Sequence, residues 1–217
     1  MAEPGPSSLW CTAAGRYSAF SRTLASWPMM RGMQAVRHVL FIQGGGEGTH
    51  DEWDNRLVDN LRQHLGAGYD VHYPRTPHEE EPSYEAWKPA LRKAMERLPD
   101  GSVVVAHSIG ATILLALLSE GRAARKLGGV LVIAAPFVGE GGWQSDQLQL
   151  PADLGSKLPR GMPVLFFYGL DDDTAPPLHA DLYQRAVRQA QIQRLPGRDH
   201  QLNDDVQEVA KAIVALG

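Results

Sequence analysis

From residue 36 onward, short β-branched apolar runs alternate with helix-patterned segments. That alternation restricts the chain to an α/β fold: a doubly wound, mostly parallel sheet with helices on both faces. Six runs read as strands, near residues 37–42, 69–73, 102–106, 129–135, 163–168 and 191–195. Between them, Thr49 to Glu52 reads as a capping box before a helix whose Trp53, Leu57, Leu61 and Leu65 recur every fourth residue, with Gly66 as its stop. A second helix near 84–98 sets Trp87, Leu91, Met95 and Leu98 toward the core, with Pro89 marking its early turns or a kink. A last helix is expected near 204–216, with Asp204 and Asp205 in its first turn where they complement the helix dipole.

The third strand runs into its helix through Val103-Val104-Val105-Ala106-His107-Ser108-Ile109-Gly110, with one serine at the corner. A sharp turn of the G-x-S-x-G kind lifts a serine oxygen above the sheet and needs small residues two before and two after it. Ala106 and Gly110 fill those places, and the methyl of Ala106 must fit where a hydrogen is usual. A helix-capping serine would give the same local pattern, so the serine alone does not decide between the two. A nucleophilic serine needs a base and an orienting acid. After the fifth strand comes the acidic turn Gly169-Leu170-Asp171-Asp172-Asp173-Thr174-Ala175-Pro176, with Asp172 the candidate acid among three. After the sixth comes Gly197-Arg198-Asp199-His200, with His200 the candidate base. The loop Gln43-Gly44-Gly45-Gly46-Glu47-Gly48 lets the backbone approach a substrate, and the amides of Gly45 and Ile109 are the candidate donors to a developing oxyanion. A phosphate-binding turn is the competing reading of those glycines, but no Gly-Lys-Ser/Thr follows and the dinucleotide-binding spacing is absent.

With Ser, Asp and His in that order, the chain resembles the α/β-hydrolase superfamily over residues 36 to 217, and within it the small, nearly lidless members related to the retinoblastoma-binding serine hydrolases. The resemblance implies strand order 2-1-3-4-5-6, Ser108 as nucleophile, His200 as base and then acid, and Asp172 as the group that holds the imidazole. In that superfamily the acid stands three residues after the glycine that ends its strand, which selects Asp172 over Asp171 and Asp173. The implied activity is hydrolysis of small to medium carboxylic esters, thioesters or activated amides through an acyl-enzyme, with no cofactor. A neutral imidazole must accept the serine proton, so turnover is expected to fall on the acid side of neutrality, as a pH–rate profile would record.

The segment from Pro136 to Met162 occupies the position of a lid but is too short for a helical cap, and Phe137, Trp143 and Leu148 are candidates to line a small acyl pocket beneath it. Glu47, Asp51, Glu79, Glu80, Glu81, Glu140 and Asp146 fall in loops at the same face, a rim that would favour cationic substrates such as amino-acid esters or arylamides. A solvated acidic surface is the plainer reading of the same residues. A third alternative is a non-catalytic binding protein on a hydrolase fold, which an intact Ser-His-Asp set argues against.

Other classes find little support. The formal charge of −4 offers no basic face for nucleic acid, and no apolar stretch is long enough for a membrane span or signal core. The single cysteine, Cys11, allows no intrachain disulfide and fits a reducing cytoplasm. The densest titratable cluster, His50-Asp51-Glu52 with Asp54, lacks metal-ligand spacing, so no metal is expected. His38, His64, His72, His78 and His179 fall into no constellation along the sequence. No protein partner is indicated beyond a small-molecule ester or amide substrate.

Residues 1–35 lack helical or strand periodicity and set Glu3 against Arg16, Arg22 and Arg31. They read as a disordered extension or as leader translated from an upstream start, since Met29, Met30 and Met33 stand just before the first strand. A chain beginning at Met33 is accordingly expected to fold and unfold like the full chain, which a thermal melt followed by circular dichroism checks.

Overall fold

The structure is a computed structural model that describes residues 36–121 and 126–217; the expectations for residues 1–35 and for Cys11 lie outside the described residues. Six strands form one parallel sheet in the order β2-β1-β3-β4-β5-β6: β1 (Arg37–Ile42), β2 (Tyr69–His72), β3 (Val103–His107), β4 (Gly129–Ile133), β5 (Val164–Gly169) and β6 (Gln191–Leu195). The expected strands and their order are those observed, with ends shifted by one or two residues except at β1 and β6. β3, β4 and β5 are buried along their whole length, which explains their unbroken apolar character. The edge strands β2 and β6 carry the polar residues.

Helices cover both faces. α1 (Asp54–Leu65) and α6 (Gln207–Ala215) close one core with Val39, Phe41, Val105 and Ile133. α2 (Tyr84–Glu96), α3 (Ser108–Ser119), the single turn α4 (Leu154–Lys157) and α5 (Leu178–Ala186) close the other with Leu40, Ile42, Val104 and Phe166. Pro89 lies inside α2, which runs on past it; Ser83 caps the helix by accepting a hydrogen bond from the Ala86 amide. Burying α3 between β3 and the α2/α5 side accounts for its apolar character all round.

Two local expectations are corrected. Thr49 does not cap a helix: residues Thr49–Trp53 form a π-helical turn, and the Thr49 hydroxyl donates to the Gly46 carbonyl. The wider turn puts Trp53 out of phase with Leu57, Leu61 and Leu65, so it is 48% exposed and stacks under Arg56 rather than entering the core. The last helix begins at Gln207 instead of Asp204, because Leu202, Asn203 and Asp204 turn left-handed at φ 51°, 56° and 57°. Asp205 still serves the helix start by accepting the Gln207 amide, while it also pairs with Arg198.

Parallel strands with right-handed crossovers deliver every strand-to-helix loop of interest to one edge, the carboxyl ends of the strands. The loops after β1, β3, β5 and β6 meet there. Two glycines permit the approach: a Cβ on Gly110 would stand 2.0 Å from the Gln43 carbonyl oxygen, and one on Gly169 would stand 2.1 Å from that of Arg198.

Candidate active site

Ser108 is the first residue of α3 and takes φ 50°, a left-handed conformation that costs a non-glycine residue of order 1–3 kcal/mol. β3 stays regular up to His107, with Ala106 fully buried between Ile42 and Val132, so its methyl is accommodated without breaking the strand. The strained turn brings Ser108 Oγ to 3.0 Å from His200 Nε2. His200 Nδ1 in turn stands 2.8 Å from Asp172 Oδ2. Asp172 is 3% exposed, and its other oxygen accepts the amides of Thr174 and Ala175 at 2.9 and 2.8 Å. Of the three neighbouring aspartates, Asp172 is the one that meets the histidine.

The loop carrying His200 is braced from within. Asp199 Oδ1 accepts the amides of Gln201 and Asn203, while Asn203 Oδ1 accepts the amide of Asp199. Arg198 donates to the carbonyls of Leu202 and Asp205 and to the Asp205 carboxylate. The Asp171 amide donates to the Arg198 carbonyl, which ties the acidic turn to this loop across Gly169.

The glycine loop after β1 is held at both sides. The Gly44 amide donates to Asp54 Oδ2 at 2.7 Å and the Gly46 amide to the Glu79 carbonyl at 2.6 Å. Buried Gln43 donates to the Glu79 carboxylate and accepts the Thr76 amide. Among the described hydrogen bonds, the Gly45 amide has no acceptor. Gly45 presses on Ile109, since a Cβ there would lie 2.8 Å from Ile109 Cγ2. The Ile109 amide belongs to the first turn of α3, where no intrahelical acceptor exists.

Beneath the Ser108–His200 contact lies a buried charged pair that no sequence motif marks. His107 Nδ1 is 2.9 Å from Asp54 Oδ1 and 3.0 Å from Oδ2, with the two side chains 2% and 0% exposed. His107 Nε2 is 3.1 Å from the backbone carbonyl of His200, and Gln201 Nε2 reaches Asp54 Oδ1. Burial is the largest influence on His107 and pushes its pKa down, but the Asp54 carboxylate and the His200 carbonyl outweigh it and raise the net value above that of an ordinary imidazole. With both ring nitrogens facing acceptors, the doubly protonated form satisfies every partner. The available signal was helical phase: Asp54 precedes Leu57 and Val58 by three and four positions and so lies on the buried stripe of α1.

The three pocket candidates separate, Trp143 and Leu148 at one cavity and Phe137 at another. Trp143, 39% exposed, borders a cavity of about 180 Å³ that is lined also by Pro82, Ile109, Ile113, Val138 and Leu148. Phe137 is 5% exposed, packs edge-on against Tyr183 at 5.1 Å and borders a different cavity, of about 530 Å³, with Leu182 and Arg185. The segment that begins at Pro136 is pinned at its start: Thr112 and Tyr183 donate to the Pro136 carbonyl, and the Phe137 amide donates to His179 Nδ1. His179 is held below the usual imidazole range by burial, consistent with a neutral ring accepting at Nδ1. Of the acidic rim, Asp51 and Glu79 are bridged by Arg75.

The fold is shared with the esterase domain of a Rhodothermus marinus protein, at 19% identity and a TM-score of 0.57 over 86% of this chain and 90% of that one. It is shared too with the ydeN gene product of B. subtilis (18%, 0.62, 83% and 98%) and a bromoperoxidase from Bacillus anthracis (15%, 0.62, 84% and 92%). The six-stranded parallel sheet and these likenesses define an α/β-hydrolase fold. A family model described as serine hydrolase matches residues 39–208, and the chain belongs to that family. A sequence comparison with curated proteins finds no match. Among the described residues, no helix is long and apolar enough to cross a membrane.

Removing one member of the Asp54–His107 pair leaves a buried charge unpaired, so Asp54→Ala is expected to lower stability by about 3–5 kcal/mol in urea unfolding. The raised His107 pKa fixes the sign of the pH dependence: its stabilisation is complete below the unfolded value of about 6.5 and is lost as pH rises through the folded value. Asp54→Asn should remove that slope.

Proposed function

We propose that the protein hydrolyses small carboxylic esters or thioesters through a serine acyl-enzyme, with Ser108 as nucleophile, His200 as general base and acid, and Asp172 as the group that orients it. The observation that carries this reading is the unbroken chain from Ser108 Oγ to His200 Nε2 at 3.0 Å and from His200 Nδ1 to Asp172 Oδ2 at 2.8 Å. His200 takes the hydroxyl proton as Ser108 attacks the carbonyl carbon, and the developing imidazolium is stabilised by a carboxylate already fixed by two backbone amides. The imidazolium then protonates the leaving alcohol or thiol. In the second half, a water gives a proton to His200 as it attacks the acyl carbon, and His200 returns that proton to Ser108 Oγ as the acyl–oxygen bond breaks and the acid leaves.

Charge on the tetrahedral oxygen falls to the amides of Gly45 and Ile109, neither of which has an acceptor of its own among the described hydrogen bonds. Losing one donor of this kind costs about 2.7–4 kcal/mol of transition-state stabilisation. The fixed neighbours of Gly45, bonded through Gly44 and Gly46, support its place in that pair.

Substrate size follows from the cavity beside Ile109, whose roughly 180 Å³ falls below the about 300–1,000 Å³ of pockets for drug-sized ligands. A short acyl group bounded by Ile113, Val138, Trp143 and Leu148 suits that space. The cationic-substrate alternative loses ground because Arg75 offsets Asp51 and Glu79.

A fluorophosphonate probe should label the wild type and leave Ser108→Ala and His200→Ala unlabelled, while Asp172→Asn cuts turnover by about 10⁴-fold through the wrong tautomer. Across p-nitrophenyl esters, kcat/KM is expected to fall as the acyl chain outgrows the cavity. Labelling that persists in Ser108→Ala, or its absence in folded wild type, would overturn the assignment.

A further inference from the structure

A second group of ligand-bearing side chains lies on the sheet well before the strand ends that carry Ser108. Parallel register sets His38 opposite Asp70 and Leu40 opposite His72. Since side chains alternate along a strand, His38, Asp70 and His72 share one face. His38 Nδ1 is 3.0 Å from His72 Nε2, and Asp70 Oδ2 is 3.7 Å from the former and 3.4 Å from the latter. The two rings stack at 5.3 Å with 16° between their planes. These three donor atoms form the one such group of metal-ligating side chains among the described residues.

Ligands held tetrahedrally at about 2.0–2.2 Å from zinc stand roughly 3.3–3.5 Å from one another, a span the three observed separations bracket. We propose that His38, Asp70 and His72 form a binding site for a divalent transition-metal ion of borderline softness, zinc being the ion that fits best, with the fourth position left to water. Two imidazoles and one carboxylate suit zinc, whereas magnesium and calcium favour shells built of oxygen. Without an ion, ring nitrogens 3.0 Å apart can hold only one proton between them; an ion uses both lone pairs. The side chains are 28%, 54% and 43% exposed, so the ion enters directly from solvent.

The ion would tie β2, a four-residue edge strand paired only with β1, to its neighbour by side chains as well as backbone. His38 lies four residues before Ile42, roughly 13 Å along the strand from the loop that leads to Gly45. The site is therefore independent of the proposed hydrolysis.

The test is calorimetric titration of the full chain, stripped with EDTA and desalted, with zinc chloride. Wild type and His200→Ala should each take up one zinc, with magnesium chloride giving no binding. His38→Ala and His72→Ala should bind more weakly by at least the about 10–100-fold that loss of even an outer-sphere partner costs. Cobalt(II) should give wild type the intense visible bands of tetrahedral coordination, a readout that does not depend on any variant folding. Zinc affinity unchanged in His38→Ala and His72→Ala, zinc uptake lost in His200→Ala, or folded wild type showing neither zinc uptake nor tetrahedral cobalt bands would overturn the site.

Discussion

The buried pair of Asp54 and His107 is the contact around which the candidate active site is organised. It joins four stretches of chain that are distant in sequence: the glycine loop through the Gly44 amide, the start of α1, the end of β3, and the His200 loop through its carbonyl and Gln201. Ion pairs of this kind contribute little net stability compared with apolar packing, because two charges must be stripped of water. What the pair supplies is geometry. Asp54 sits at the first position of α1, where the helix dipole favours a carboxylate. Its two oxygens take a backbone amide, an imidazole and a side-chain amide, so the pair fixes both the loop on one side of Ser108 and the histidine on the other.

A parallel sheet makes that convergence possible, and close backbone approach completes it. Gly110 lets α3 pass against the Gln43 carbonyl, and Gly169 lets the His200 loop cross the end of β5. Each glycine is required by a carbonyl oxygen closer than any side chain would tolerate, rather than by an unusual φ. Four of the six described non-glycine residues at positive φ stand in the same places: Ser108 in one loop, and Leu202, Asn203 and Asp204 in the other. Left-handed conformations of order 1–3 kcal/mol each persist only where surrounding contacts over-determine them. Here the buried strands β3 to β5 and the Asp199–Asn203 bonds do so.

How much of the molecule is legible in its sequence depends on the range of each signal. Ser108, Asp172 and His200 stand in short motifs beside strong strands, and their order along the chain is informative in itself. The strands are legible because three of them are buried on both faces and read as continuous apolar runs. Trp53 is misplaced by periodicity because a π-helical turn shifts helical phase by an amount that composition does not encode. Asp205 is misplaced because a left-handed turn consumes three residues ahead of α6. Asp54 and His107 are 53 residues apart, and only the packing of α1 against the end of β3 unites them. His38 and His72 are legible as residues but not as neighbours, since a parallel register cannot be deduced from either strand alone.

The segment between β4 and β5 serves both the frame and the cavity at Ile109. Its start is tied down by bonds to the Pro136 carbonyl and the Phe137 amide from Thr112, Tyr183 and His179, all buried. Phe137 belongs to that anchor, packed on Tyr183 inside the core. Trp143 belongs to the surface beyond it, touching His179 edge-on and bordering the cavity at Ile109. One aromatic residue thus holds the segment to the sheet and the other shapes the cavity at Ile109. Changes to the Trp143 side chain can alter that cavity while the backbone bonds of Trp143 to Phe137 and Gly139, and the buried Leu150 and Leu154 beyond it, hold the segment in place.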